Sequence, residues 1–154
     1  MTQTDIKMMQ LALDEAKKAA LIGEVPVGCV VVCEGEIVSS AYNLREQAKN
    51  ALAHAELLAI EKACKKLGGW RLHRCELYVT LEPCPMCMGA IINSRIRRVI
   101  FGARDPKAGC LGSVVNLNEM AFNHHPEVEA GIMQEECAEV LQIFFKQLRN
   151  ERKI

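Results

Sequence analysis

The run Val27-Gly28-Cys29-Val30-Val31-Val32 holds no charged residue and no polar alternation. An apolar stretch that short and continuous predicts a strand buried on both faces. Such a strand needs one helical layer above it and another below, and the flanking sequence supplies both. Thr4 or Asp5 opens a helix with Ile6, Met9, Leu13, Ala16 and Ala20 on its buried stripe and Gly23 at its end. Glu34-Gly35 turns the buried strand into a second one over 36–42. Helical spacing follows over 52–67, stopped by Gly68-Gly69, and then a strand over 75–80. A third helix runs from Pro83, which a first turn tolerates, to Asn93-Ser94, and a fourth strand covers 98–102. Residues 103–126 form an irregular region with one helical turn near 117–120, and 127–132 a short fifth strand. The last helix, over 134–150, carries Cys137, Val140, Leu141, Phe144, Phe145 and Leu148 on its apolar side. This order predicts an α/β fold, one mixed sheet with helices on both faces, in a single domain over 1–154.

Half of the residues are hydrophobic and a quarter charged, a globular composition. No apolar run approaches the roughly 20 residues of a spanning helix, and Met1-Thr2-Gln3-Thr4-Asp5 lacks the basic start of a signal peptide. The expectation is a cytoplasmic protein with no membrane partner. In that reducing setting most of the eight cysteines read as small buried hydrophobes, and only Cys84 and Cys87 form a C-x-x-C. With 19 basic and 19 acidic residues, bulk charge draws no nucleic acid. Arg95, Arg97, Arg98, Arg104 and Lys107 nevertheless cluster, as do Lys146, Arg149, Arg152 and Lys153, with acid at Glu127, Glu129, Glu135, Glu136 and Glu139. These read as solvated faces that permit a phosphate-binding edge.

The chemistry concentrates in Leu81-Glu82-Pro83-Cys84-Pro85-Met86-Cys87 and His54-Ala55-Glu56. Cys84 and Cys87 alone fit a redox pair or part of a structural zinc knuckle as well as a catalytic site. Added to them, His54 makes three ligands, and no second C-x-x-C offers more. Three protein ligands plus a water is the catalytic arrangement of zinc, whereas structural zinc is closed by four. His54 and Glu56 are two residues apart and would diverge on a regular helix. They converge only at a helix end, which places the metal between facing N-termini of the second and third helices, where the dipole also favours thiolates.

His54-Ala55-Glu56 together with Pro83-Cys84-Pro85-Met86-Cys87 resembles the zinc-dependent nucleoside and nucleobase deaminase superfamily. Glu24-Val25-Pro26-Val27-Gly28, Ser94-Arg95-Ile96, Phe101-Gly102-Ala103-Arg104-Asp105, Asn123-His124 and Phe144-Phe145 further resemble its bacterial tRNA-specific adenosine deaminase branch. The resemblance implies a three-layer α/β/α cytidine-deaminase-like fold around a mixed five-stranded sheet whose last two strands are parallel. It implies one Zn2+ per chain on His54, Cys84 and Cys87, with Glu56 as proton shuttle. The implied reaction is hydrolytic deamination of the wobble adenosine to inosine in the anticodon loop of an arginine tRNA. Hydroxide attacks C6 while Glu56 protonates N1 and then the departing ammonia. By the same resemblance Asn43 holds the nucleoside, Ala103, Arg104 and Asp105 border the anticodon stem-loop, Phe145 and Arg149 touch RNA, and the protein is a homodimer. One departure is that His125-Pro126 follows Asn123-His124 where an arginine is expected. Two other readings stand beside this one: a deaminase of free bases or nucleosides (guanine, cytosine or cytidine), and a zinc-stabilised binding module without catalysis.

Overall fold

In the computed structural model, which describes residues 2–152, the apolar run supplies most of a central strand over 28–33, all six of whose residues are buried. The chain order is α1 (Gln3–Leu21), β1 (Gly28–Cys33), β2 (Glu36–Tyr42), α2 (Ala55–Leu67), β3 (Cys75–Leu81), α3 (Pro85–Asn93), β4 (Arg98–Ala103), a 3-10 turn (Leu117–Glu119), β5 (Glu127–Ala130) and α4 (Gln134–Arg152). Strand order is β2-β1-β3-β4-β5; β1 is antiparallel to β2 and β3, while β3–β4 and β4–β5 are parallel. The period-2 geometry of a strand divides the core. Cys29, Val31, Leu77, Val79, Val99 and Phe101 point to α2 and α3. Val30, Val32, Tyr78 and Ile100 point to α1 and α4. The expected mixed sheet between two helical layers is present, and the last two strands are parallel.

The first helix differs from the sequence expectation by a turn. Thr2 is the cap: its hydroxyl accepts from the Asp5 amide at 3.0 Å, and the Asp5 carboxylate accepts from the Thr2 amide at 3.2 Å, a capping box. The buried stripe is Asp5, Met8, Met9, Ala12, Leu13, Ala16 and Ala19, leaving Ile6 and Ala20 on the exposed side. The phase is set by a buried charge that hydrophobicity alone does not count. Asp5 accepts from Arg98 at 2.9 and 3.0 Å and from the Tyr78 hydroxyl at 2.7 Å. Arg98 also bonds Glu76 at 3.1 Å and pairs with Glu129. Arg98 is therefore no member of a solvated phosphate edge but the centre of a carboxylate network across α1, β3, β4 and β5. Arg97 likewise pairs with Glu76, and Arg95 donates to the Ile92 carbonyl at 2.9 Å. Lys153, from the C-terminal basic group, lies outside the described residues.

Two close approaches fix the layers. A Cβ on Gly28 would run into the backbone of Ala12 and Ala16, so α1 lies directly on β1. A Cβ on Gly102 would meet Cys137, where α4 touches β4. Cys137 is the one buried residue of α4, Ala138 and Val140 are partly buried against the same core, and Phe145 is 39% exposed. The apolar side expected along α4 is thus mostly a partly covered face.

The helix starts were also misplaced from sequence. α2 begins at Ala55 rather than near 52, with His54 as its N-cap, and α3 begins at Pro85, with Cys84 as its N-cap. Pro85, not Pro83, occupies the first-turn position suited to proline. The mid-loop turn and the two-residue Glu34-Gly35 hairpin, with φ of 50° and 84°, fall where expected.

Candidate active site

His54 and Cys84 occupy the same position, each the extended residue before the first turn of a helix. Their carbonyls open the helical ladders by accepting from Leu58 and Met88, while neither side chain is spent on capping. Both are free to turn inward. Glu56 and Cys87 lie two and three residues beyond these caps, in first turns whose unpaired amides favour negative charge.

His54 Nδ1 lies 3.6 Å from Cys84 Sγ and 3.5 Å from Cys87 Sγ, and all three donor atoms are within 4.8 Å of one another. Zinc–sulfur and zinc–nitrogen bonds of about 2.3 and 2.05 Å at a tetrahedral angle require a nitrogen–sulfur separation of about 3.6 Å. The donor set and its spacing therefore fit zinc, with one corner left for a non-protein ligand. Helix geometry resolves the conflict over His54 and Glu56, since the chain is extended at the first and helical at the second.

The electrostatics suit a proton-handling centre. Burial pushes the Glu56 carboxyl up to about 7, the Cys84 charge adding to the effect and His54 opposing it. The Cys87 thiol, donating to Cys84, holds Cys84 down to about 4 against the effect of burial, with His54 assisting. Cys87 is raised by the same bond, and His54 is raised chiefly by its contact with Cys84. One thiolate next to one retained proton is the expected state of such a pair, and a dication beside these groups would lower all four values.

A cavity of about 210 Å3 opens on this cluster, walled by Val25, Val27, Asn43, Arg45, Leu81, Glu82, Asp105 and Ala108. Asn43 is buried, donating to the Val25 carbonyl at 3.2 Å and accepting from the Arg45 amide at 3.2 Å. Asp105 folds the next turn by accepting from the Lys107 and Ala108 amides. Ala103 is buried at the end of β4 on the α1/α4 side, and Arg104 is exposed, its guanidinium 5.4 Å from the Phe101 ring centre. Neither is among the residues walling this cavity. A second hollow of about 740 Å3 shares Val25 and Arg45 with the first and adds Glu46, Lys107, Phe144, Phe145, Leu148, Arg149 and Arg152. Phe145 and Arg149 thus lie beside the cavity that opens on the His54, Cys84 and Cys87 cluster, next to three further cations. The loop carrying His125-Pro126 is internally tied: His124 donates to the Ile96 carbonyl at 2.7 Å, His125 to that of Met120 at 2.8 Å, and Pro126 is buried.

Two carboxylates escaped the sequence reading. Glu24, fully buried, accepts from the Glu46 and Gln47 amides at 3.0 and 2.6 Å. Glu82, 2% exposed, accepts from the Asp105, Leu111 and Ser113 amides at 3.1, 2.9 and 3.1 Å and from the Ser113 hydroxyl. Burial opposes ionisation of Glu82, yet these bonds hold its pKa below the usual value. Their partners are mostly backbone N–H groups, which leave no pattern in a sequence.

The fold and the His/Cys/Cys cluster define a deaminase domain, and the model of the MafB19-like deaminase family matches residues 3–149. A tRNA-specific adenosine deaminase of Bacillus subtilis (strain 168) is 53% identical over 99% of this chain and 95% of its own length. That of Aquifex aeolicus (strain VF5) is 52% identical over 92% and 94%. The chain belongs to the family of tRNA-specific adenosine deaminases. A solved structure from a study of A-to-I editing by tRNA:A34 deaminases at the wobble position superposes with a TM-score of 0.85, at 43% identity over 88% of this chain and 99% of that one. A guanine deaminase from Nitrosomonas europaea, at 21% identity and a TM-score of 0.73 over 90% and 83%, shares the fold.

Proposed function

We propose that this chain hydrolyses the wobble adenosine of a tRNA anticodon loop to inosine, with an arginine tRNA as substrate, one zinc per chain and a homodimeric, cytoplasmic working form. The observation that carries the reading is the conjunction of a three-donor cluster at zinc spacing with a buried glutamate one helical step away, at the foot of a cavity with cationic surroundings. Family membership directs that chemistry to adenosine in tRNA.

His54 Nδ1, Cys84 Sγ and Cys87 Sγ would hold the zinc. Zinc in such a site supplies a Lewis acid that lowers the pKa of a water from 15.7 towards about 7. Glu56 takes a proton from the hydrolytic water and delivers it to N1 of adenine as C6 becomes tetrahedral. The same carboxyl, again ionised, then takes the proton of the new C6 hydroxyl and passes it to the amino group, so that the C6–N bond breaks with loss of ammonia and a C6 carbonyl forms. A carboxyl held near neutrality by burial serves both transfers. Asn43, fixed at both ends of its amide, presents a rigid edge to the nucleoside. Arg45, Lys107, Arg149 and Arg152 face the flanking phosphates, and Phe145 offers a stacking surface. An anticodon loop supplies an unpaired base, so the target enters without duplex melting. The exposed Val114, Val115, Met120 and Phe122 give an apolar surface for a second copy. No described helix is long and apolar enough to cross a membrane.

The test is to incubate zinc-loaded protein with a synthetic anticodon stem-loop of an arginine tRNA carrying adenosine at the wobble position, alongside free guanine, cytosine and cytidine. Inosine in the stem-loop is the expected product. No inosine, or faster turnover of a free base, refutes the assignment.

A further inference from the structure

The catalytic cavity and the cationic hollow share two loops. The segment after β2 gives Asn43 and Arg45 to the first and Arg45 and Glu46 to the second. The segment after β4 gives Asp105 and Ala108 to the first and Lys107 to the second. An RNA strand passing from hollow to cavity must therefore run between these loops. Each loop is seated on one buried carboxylate, Glu24 or Glu82, and neither carboxylate has an ion-pair partner among the described residues.

We infer that Glu24 and Glu82 are positioning residues that set the gap between two loops through which the RNA substrate reaches the metal-bearing cavity. The bonds of each carboxylate run to its own loop. Glu24 holds Glu46 and Gln47, and the Gln47 side chain adds a bond to the Ile22 carbonyl at 3.1 Å. Glu82 gathers Asp105, Leu111 and Ser113 around a single side chain. The approach at Gly109 is so close that a Cβ there would fall within the Glu82 carboxylate. The chain next to Glu82 fixes the loop against the metal-bearing turn: its amide donates to the Ala103 carbonyl at 2.8 Å, and the Pro83 carbonyl accepts from Cys110 at 2.9 Å. Buried carboxylates are costly unless fully bonded, and here the bonding partners are the loops themselves. A loop released from its carboxylate leaves the metal donors and Glu56 in place but loses the register of Arg45 or Lys107 against the substrate phosphates.

This inference rests on the deaminase reading, and the experiment separates the two. Steady-state deamination of the stem-loop is measured for the zinc-loaded wild type, E82Q, S113A, E24Q, K107A and the double variant E82Q/K107A, with zinc content per chain determined for each. In E82Q an amide NH2 faces amide donors, and KM is expected to rise about tenfold, by more than kcat falls, with zinc still near one per chain. S113A, which removes a single bond at a residue outside the metal turn, is expected to raise KM several-fold. K107A lowers the slope of log KM against log salt by about one, as one lost phosphate contact should. E82Q is expected to lower it similarly, and the double variant no further. A fall in kcat and zinc content at unchanged KM, a wild-type KM in S113A, or additive salt slopes in the double variant overturns the inference. A wild type that makes no inosine overturns the deaminase reading instead.

Discussion

Asp5→Asn tests whether the buried network around Arg98 holds the first helix to the sheet. In the folded chain the Asp5 carboxylate takes two bonds from Arg98, one from Tyr78 and one from the Thr2 amide. The two Arg98 bonds form a charged, near-buried fork, Asp5 being 2% exposed. Breaking a buried pair on one side costs about 3–5 kcal/mol; Glu76 and Glu129 still neutralise Arg98, so the lower end, about 3 kcal/mol, applies. An unfolding entropy of roughly 2.1 cal/mol/K per residue gives about 0.32 kcal/mol/K for a chain of this length, so the loss corresponds to about 9 °C in Tm. The pH dependence is the sharper part. Arg98, with Tyr78 and Thr2, holds the Asp5 carboxyl well below the usual carboxylate range. A depressed folded pKa contributes stability that is fully present above the unfolded value of about 3.9 and is lost as pH falls towards the folded one. The asparagine has no such dependence. The difference between wild type and Asp5→Asn, read from thermal unfolding followed by circular dichroism, should be flat from pH 8 to 5. It should then shrink by up to about 1.4 kcal/mol per pH unit below pH 4. Protonation of the metal donors affects both proteins alike, because the sites are distant and additive. A gap that stays constant down to pH 3, or is below about 1 kcal/mol at pH 7, refutes this account of the network.

Other perturbations read the site and the layers separately. Glu56→Gln should lower kcat on the stem-loop by about 10²–10⁴-fold, the usual contribution of a positioned acid–base group, while zinc per chain by elemental analysis is unchanged; near-wild-type turnover would exclude it as the shuttle. Cys84→Ser or His54→Ala should lose zinc on dialysis against a mild chelator under conditions in which the wild type retains it. Gly28→Ala should fail to accumulate as folded protein, or melt far below the wild type, because its methyl would overlap the α1 backbone; a wild-type Tm would show that α1 does not lie on β1 as described.

The division into layers was legible because strand burial writes itself into composition: Val30 and Val31 face opposite layers and both must be apolar. The clustering of His54, Cys84 and Cys87 was legible because the chemistry it permits restricts such positions to few residue types. Helix starts were less so. Pro83 and Pro85 both suit a first turn, and only the extended backbone of Cys84 separates them. The α1 stripe was misphased because Asp5, a charged residue, lies at its centre, and its partner Arg98 is 93 residues away. Glu24 and Glu82 were invisible for a further reason: their partners are main-chain amides and, for Glu82, one serine hydroxyl, none of which carries a charge that would mark the pairing in a sequence.

The metal donors and Glu56 all come from α2 and α3, which share one face of the sheet; α1 and α4 on the other face contribute none. Ligand binding stabilises a folded chain by mass action, but a metal held by this cluster would grip only one layer of a three-layer sandwich. Chelation should therefore raise amide hydrogen exchange first in the opening turns of α2 and α3 and in the 43–54 segment, while α1 keeps its protection through Asp5 and Arg98. The protein would respond to metal supply as two cooperative halves joined by a sheet, the half that does the chemistry being the half whose local stability the metal sets.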